Sequence, residues 1–180
     1  MIATIGQCRL ELTQGNIALQ TTDAIVNAAN ELLAGGSGVD GAIHSAGGPS
    51  IMEETRQKYP QGCPPGSAVV TSAGDLSAKF VFHAVGPVWR GGRDGEPALL
   101  ASAIRSCLKL AVQHQCHSIS FPAISTGAYG YPLDLAAGNT LKTTFDFLKW
   151  HKAPSLVRFV LFSEGPFGAF ARALEEIVPQ

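Results

Sequence analysis

The chain has 180 residues, 46% hydrophobic and 15% charged, a balance that excludes a disordered protein and fits one domain over 1–180 with a sizeable core. Its 13 basic and 14 acidic residues leave a net charge of −1, which speaks against a dedicated nucleic-acid binder. No apolar run is long enough to span a membrane.

The N-terminus, MIATIGQCRLEL, reads as a strand, with Cys8 to Leu12 alternating, and it lacks the basic start of a secretory signal. Ala24 to Ala28 is a short apolar run ending in a polar residue, as in a buried strand carrying a site at its C-terminal end. The glycine-rich loop Gly35 to Gly38 follows, then a helix over Val39 to Ala46 whose N-terminus faces that loop. A second helix is expected after Pro49, to about Lys58. Ala68 to Ser72 and Phe80 to Val85 read as two more strands. Gly91 to Gly95 is a solvated turn or a lid, and Pro97 opens a helix through about Gln113. Ser118 to Pro122 is a strand, followed by a second glycine-bearing loop, Ser125 to Gly130. A helix over Leu133 to Trp150, a buried strand over Leu156 to Phe162 and a closing helix over Phe167 to Ile177 complete the chain. Strands alternating with helices predict an α/β sandwich with a largely parallel sheet.

Four cysteines, Cys8, Cys63, Cys107 and Cys116, show no paired spacing, which predicts reduced thiols and a cytoplasmic protein. His114, Cys116 and His117 fit no zinc pattern, so no metal site is expected.

The segment from Ile25 to His44 carries the densest chemistry. Glycines leave backbone N–H groups bare, and such groups cradle phosphates. Asn27 and Asn30 both donate and accept hydrogen bonds, as sugar hydroxyls require. Asp40 and His44, four apart on a helix, share one face. If both glycine loops lie at the carboxyl edge of the sheet, their N–H groups converge on one pyrophosphate.

Familiar single motifs fit poorly. Gly36 to Gly41 matches G-x-G-x-x-G, yet seven residues separate it from Ala28, and no strand-end acid follows about twenty residues on. No glycine loop is followed by a Walker lysine, and Ser125 lacks a G-x-S-x-G context.

The motifs taken together are more specific. Asn27-Ala-Ala-Asn30, Gly35-Gly-Ser-Gly-Val-Asp-Gly-Ala-Ile-His44, His83-Ala-Val-Gly-Pro87 and Phe121-Pro-Ala-Ile-Ser-Thr-Gly-Ala-Tyr-Gly-Tyr-Pro132 occur in that order. This resembles the macrodomain family, and within it the MacroD-type ADP-ribosyl hydrolases, from about Gly15 to Phe162. The resemblance implies a three-layer α/β/α fold with a mixed, largely parallel sheet of about six strands. It implies an ADP-ribose pocket in which Gly36, Ser37, Gly38 and Val39 hold the diphosphate together with Ser125, Thr126, Gly127, Ala128 and Tyr129. Asn30 and Asp40 would sit at the distal ribose, with His44 one turn behind and Asn27 also positioning ribose hydroxyls. Asn16 and Ile17 would meet the adenine, with Phe162 against the base.

The implied activity is hydrolysis of ester-linked ADP-ribose, on Asp or Glu side chains of proteins or in O-acetyl-ADP-ribose, with a water activated near Asp40. ADP-ribose is ligand and product; no cofactor is implied, the partners are ADP-ribosylated proteins, and a monomer is expected. The alternative is a non-catalytic reader of ADP-ribosylated proteins. The family usually carries Asp where this chain has Asn16, an uncharged and therefore weaker acceptor. Ser37 carries a Cβ, so it must avoid positive φ. Structural readings also stand: Asn27 and Asn30 ending a strand and bonding loop backbone, Asp40 charging a helix N-terminus, His44 as a satisfied core histidine, Tyr129 and Tyr131 as rim packing, and His83 as a structural strand residue.

Overall fold

The computed structural model describes residues 1–178. Seven strands form one sheet: β1 (Ile2–Ile5), β2 (Cys8–Gln14), β3 (Ala24–Ala28), β4 (Ala68–Ser72), β5 (Phe80–Ala84), β6 (Ser118–Phe121) and β7 (Leu156–Leu161). Five helices accompany it: α1 (Gly38–Gly47), α2 (Ser50–Lys58), α3 (Glu96–Gln113), α4 (Leu133–His151) and α5 (Glu164–Ile177). A short 3-10 turn, Ile17–Leu19, follows β2.

The strand order is β1-β2-β7-β6-β3-β5-β4. The central pairings are parallel, and the two edge pairings, β1/β2 and β4/β5, are antiparallel. The mixed, largely parallel sheet is therefore as expected, but it has seven strands among the described residues where the resemblance implies about six. The extra one comes from the N-terminus. Gly6, at φ 61, and Gln7 turn the chain so that Ile5 pairs with Cys8, and one predicted strand becomes a two-residue hairpin.

Period-two alternation divides the buried strands between two faces. Ile25 and Val81 pack with Ile43 of α1 and Ile51 of α2. Val26 and Phe82 point the other way, into a larger core with Leu100 and Ile104 of α3, Leu141 of α4 and Phe170 of α5. Three layers result, α1 and α2 on one side and α3 to α5 on the other.

This arrangement opens the sheet at one place. After β3 the chain runs to α1, and after β6 it runs to α4 on the opposite face. β3 and β6 are neighbours, yet they pair only at Ala24–Ile119 and Ile25–Ser120. Their C-terminal ends part, and connections that leave to opposite faces create a crevice there.

Candidate functional site

A cavity of about 300 Å³ fills that crevice. Its walls include Asn30, Gly36 to Asp40, Gly86, Ser125 and Gly127 to Tyr129, so both glycine-bearing loops converge on it.

The first loop ends at the N-terminus of α1. Ser37 makes no side-chain cap bond, and the first N–H groups of a helix have no acceptor within it. That end of α1 therefore presents donors and a positive dipole end to the cavity. Ser37 sits at φ −98, clear of the left-handed region, which falls to Gly38 at φ 58. The second loop follows β6. Among the described residues, the backbone N–H groups of Ser125 to Tyr129 find no protein acceptor. Tyr131 is buried and packs on Trp89 with ring centroids 4.5 Å apart, and Trp89 N–H donates to the Tyr129 carbonyl. These contacts hold the loop from behind.

Asp40 lies in the first turn of α1 and is 6% exposed. Its Oδ1 accepts from Asn27 Nδ2 at 2.7 Å and faces His44 Nε2 at 3.2 Å. Among the described residues no protein donor reaches Oδ2, which faces Gly36 at the cavity wall. One oxygen is thus held and the other is open. His44 stands one turn behind, as the spacing predicts, with its Nδ1 buried and unpartnered.

Asn27 is fully buried and lies behind Asp40 rather than at the cavity wall. Expected beside the ribose hydroxyls, it acts on the carboxylate instead, because the inward-facing position of β3 at this register points beneath α1. Asn30 does line the cavity, but its amide donates to the Gly35 carbonyl at 2.9 Å and accepts from Ala34 N–H at 3.1 Å. It shapes the first loop. The Thr126 hydroxyl turns back to the Ala123 carbonyl at 2.8 Å, and Thr126 does not line the cavity.

Asn16, Ile17 and Phe162 lie outside the cavity, at the C-terminal ends of β2 and β7. Asn16 Oδ1 accepts from Ala18 N–H at 2.9 Å and caps the 3-10 turn. Ile17 is buried, and Phe162 is 79% exposed. The 91–95 loop is tied down by the buried carboxylate of Glu96, which accepts from the N–H groups of Arg90, Gly92 and Asp94. No group of metal-ligating side chains occurs among the described residues.

Two further residues stand behind Asp40 that no sequence signal marks as site residues: His83 reads as a structural strand residue, and Thr71 lies within an ordinary strand pattern. His83 Nδ1 lies 3.2 Å from Asn27 Nδ2, and its Nε2 lies 2.9 Å from Thr71 Oγ1. Burial pulls the His83 imidazole down to about 4, with the neighbouring His44 adding to the shift and Asp40 opposing it. It is neutral at pH 7.

That depression has a consequence for stability. The unfolded chain takes this proton near the ordinary 6.5, and the folded chain only near about 4. Between those values the unfolded state binds more protons. Stability is therefore complete above pH 6.5 and falls as the pH drops towards 4, by about 3 kcal/mol at most from this group. Urea melts at pH 7 and pH 4.5 should show a larger loss for the wild type than for His83→Gln. Equal losses would remove His83 as the cause.

A family model described as Macro domain matches residues 26–139. A macro domain-containing protein of Caldanaerobacter subterraneus is 51% identical over 171 residues, covering 94% of this chain and 97% of that protein. An O-acetyl-ADP-ribose deacetylase of Cronobacter sakazakii is 52% identical over 168 residues, covering 92% of this chain and 93% of the other. Among solved structures, the Oceanobacillus iheyensis macrodomain with ADP superposes with a TM-score of 0.93 at 41% identity, over 98% of this chain and 95% of that one. The Trypanosoma brucei macrodomain in complex with ADP-ribose gives 0.85 at 37% identity, over 92% and 68%.

Proposed function

From the premise that this chain belongs to the macro domain family, we propose that it is an enzyme that binds ADP-ribose and hydrolyses it from ester linkages. The observation that carries this reading is the Asp40 carboxylate, with one oxygen held by Asn27 and the other facing a cavity lined by two N–H-bearing loops. The substrates are O-acetyl-ADP-ribose and proteins mono-ADP-ribosylated on Asp or Glu. The chain acts as one unit over 1–180, as a cytoplasmic monomer, and its macromolecular partners are ADP-ribosylated proteins.

The N-terminus of α1 and the Ser125–Tyr129 loop take the diphosphate, whose charge their N–H groups and the helix dipole favour. With the diphosphate fixed, the distal ribose is confined beside Asp40, and attack becomes effectively intramolecular. Asp40 Oδ2 orients a water or takes its proton, and general-base help of this kind contributes about 10² to 10⁴ in rate. Water adds across the ester C–O bond, giving ADP-ribose with a free hydroxyl and the carboxylic acid. Asn27 and His44 act on Oδ1 and keep Oδ2 aimed at the cavity. Asn30 shapes the first loop. The purine end lies towards Asn16 and Ile17, with Phe162 exposed for stacking. Asn16 offers an uncharged amide there, so adenine contacts are weaker than a carboxylate would make.

The test is release of ADP-ribose from a protein mono-ADP-ribosylated on glutamate, with O-acetyl-ADP-ribose as a second substrate. Release from both supports the reading. Measurable ADP-ribose binding with no release from either would replace it with a non-catalytic reader.

A further inference from the structure

We infer that Thr71 is a positioning residue, which through His83 and Asn27 fixes how the Asp40 carboxylate faces the cavity. This rests on the reading of Asp40 as the base. Thr71 itself lies outside every motif that carries the family resemblance.

The Thr71 hydroxyl lies 2.9 Å from the Ser72 carbonyl, which can only accept. The hydroxyl has one proton, so its oxygen is left to accept from His83 Nε2 at 2.9 Å. His83 is then the Nε2–H tautomer, and its Nδ1 can only accept. Asn27 must therefore turn its NH₂ group towards His83, at 3.2 Å. The same NH₂ group gives its other proton to Asp40 Oδ1 at 2.7 Å. Each contact between the Ser72 carbonyl and the Asp40 carboxylate then has one consistent direction, with Asn27 Oδ1 left buried and without a partner among the described residues.

The opposite direction fails at one or the other contact of Asn27, whichever way its amide is turned. If Thr71 donated to Nε2, His83 would carry its proton on Nδ1, facing the NH₂ group. Flipping the Asn27 amide would relieve that clash but set its oxygen against Asp40 Oδ1. Low exposure prevents water from rescuing either arrangement: Thr71 and His83 are each 1% exposed, and Asn27 is 0% exposed. The register explains how three strands supply the chain. Asn27 pairs with His83 across β3 and β5, and Val69, two residues before Thr71, pairs with His83 across β5 and β4. All three side chains therefore share the α1 face of the sheet.

The decisive substitution is Thr71→Val, which keeps the shape and removes the hydroxyl; Thr71→Ser keeps the hydroxyl. Two-bond ¹H–¹⁵N spectra should show wild-type His83 protonated on Nε2 and bare on Nδ1 between pH 6 and 8. In Thr71→Val the Nδ1 signal should move towards the protonated position. Ester turnover should fall about tenfold or more in kcat, while ADP-ribose affinity by calorimetry stays within about twofold. Thr71→Ser should restore kcat. A wild-type His83 protonated on Nδ1 overturns the proposal, as does Thr71→Val with wild-type kcat. Equal kcat losses in the valine and serine variants overturn it too, since they report packing alone. If the wild type hydrolyses no ester, the hydrolase reading fails, and the His83 spectrum alone upholds or overturns the chain of donors.

Discussion

Replacing Asp40 by alanine should lower ester hydrolysis by about 10² to 10⁴ while ADP-ribose still binds. The reason is a division of labour within the cavity. Under the proposed function, binding rests on backbone N–H groups at the start of α1 and in the Ser125–Tyr129 loop, and neither set depends on the Asp40 side chain. The carboxylate is also a negative charge beside a site built for a diphosphate, so its loss does not weaken the ligand electrostatically. Asn27 keeps His83 as an acceptor when Asp40 is gone, which limits the structural cost to about 1–3 kcal/mol. Single-turnover hydrolysis and calorimetry on the same preparation separate the two effects. Full turnover in Asp40→Ala would remove the carboxylate from the mechanism.

Gly86→Ala should cost ADP-ribose affinity tenfold or more, about 1.4 kcal/mol. Gly86 follows β5 and lines the cavity between the loops. A Cβ built there would stand 2.1 Å from Ser125 Oγ and 2.6 Å from Ile124 Cγ2. Both atoms belong to the start of the second loop, where Ser125 already holds a left-handed backbone at φ 66. These side chains or the loop that carries them must shift, and overpacking of this kind costs about 1–3 kcal/mol in addition. Calorimetry with ADP-ribose and a thermal melt measure the two losses. An unchanged affinity and melting temperature would mean that the loop absorbs a methyl group freely.

Local patterns carried much of the architecture. Predicted helix and strand boundaries agree with the observed elements to within a few residues, because proline starts and apolar runs are short-range signals. The β1–β2 hairpin escaped because Gly6-Gln7 is a weak turn signal inside a continuous apolar pattern. Asn30 illustrates a different limit. Its type suits a sugar, and a loop five residues long lets its amide bond Gly35 instead.

What the chain alone determined is what depends on neighbours in sequence: two glycine-bearing loops after buried strands, and Asp40 and His44 on one helical face. Those features follow from helix and strand periodicity, which needs no knowledge of the partner element. Tertiary structure decided the rest. Asn27 meets Asp40 across 13 positions, His83 meets Asn27 across 56, and Thr71 meets His83 across 12. Strand order and register bring these groups together, and both arise from packing two sets of helices on one sheet rather than from any local pattern. The same packing parts β3 from β6 and makes the crevice in which the loops converge.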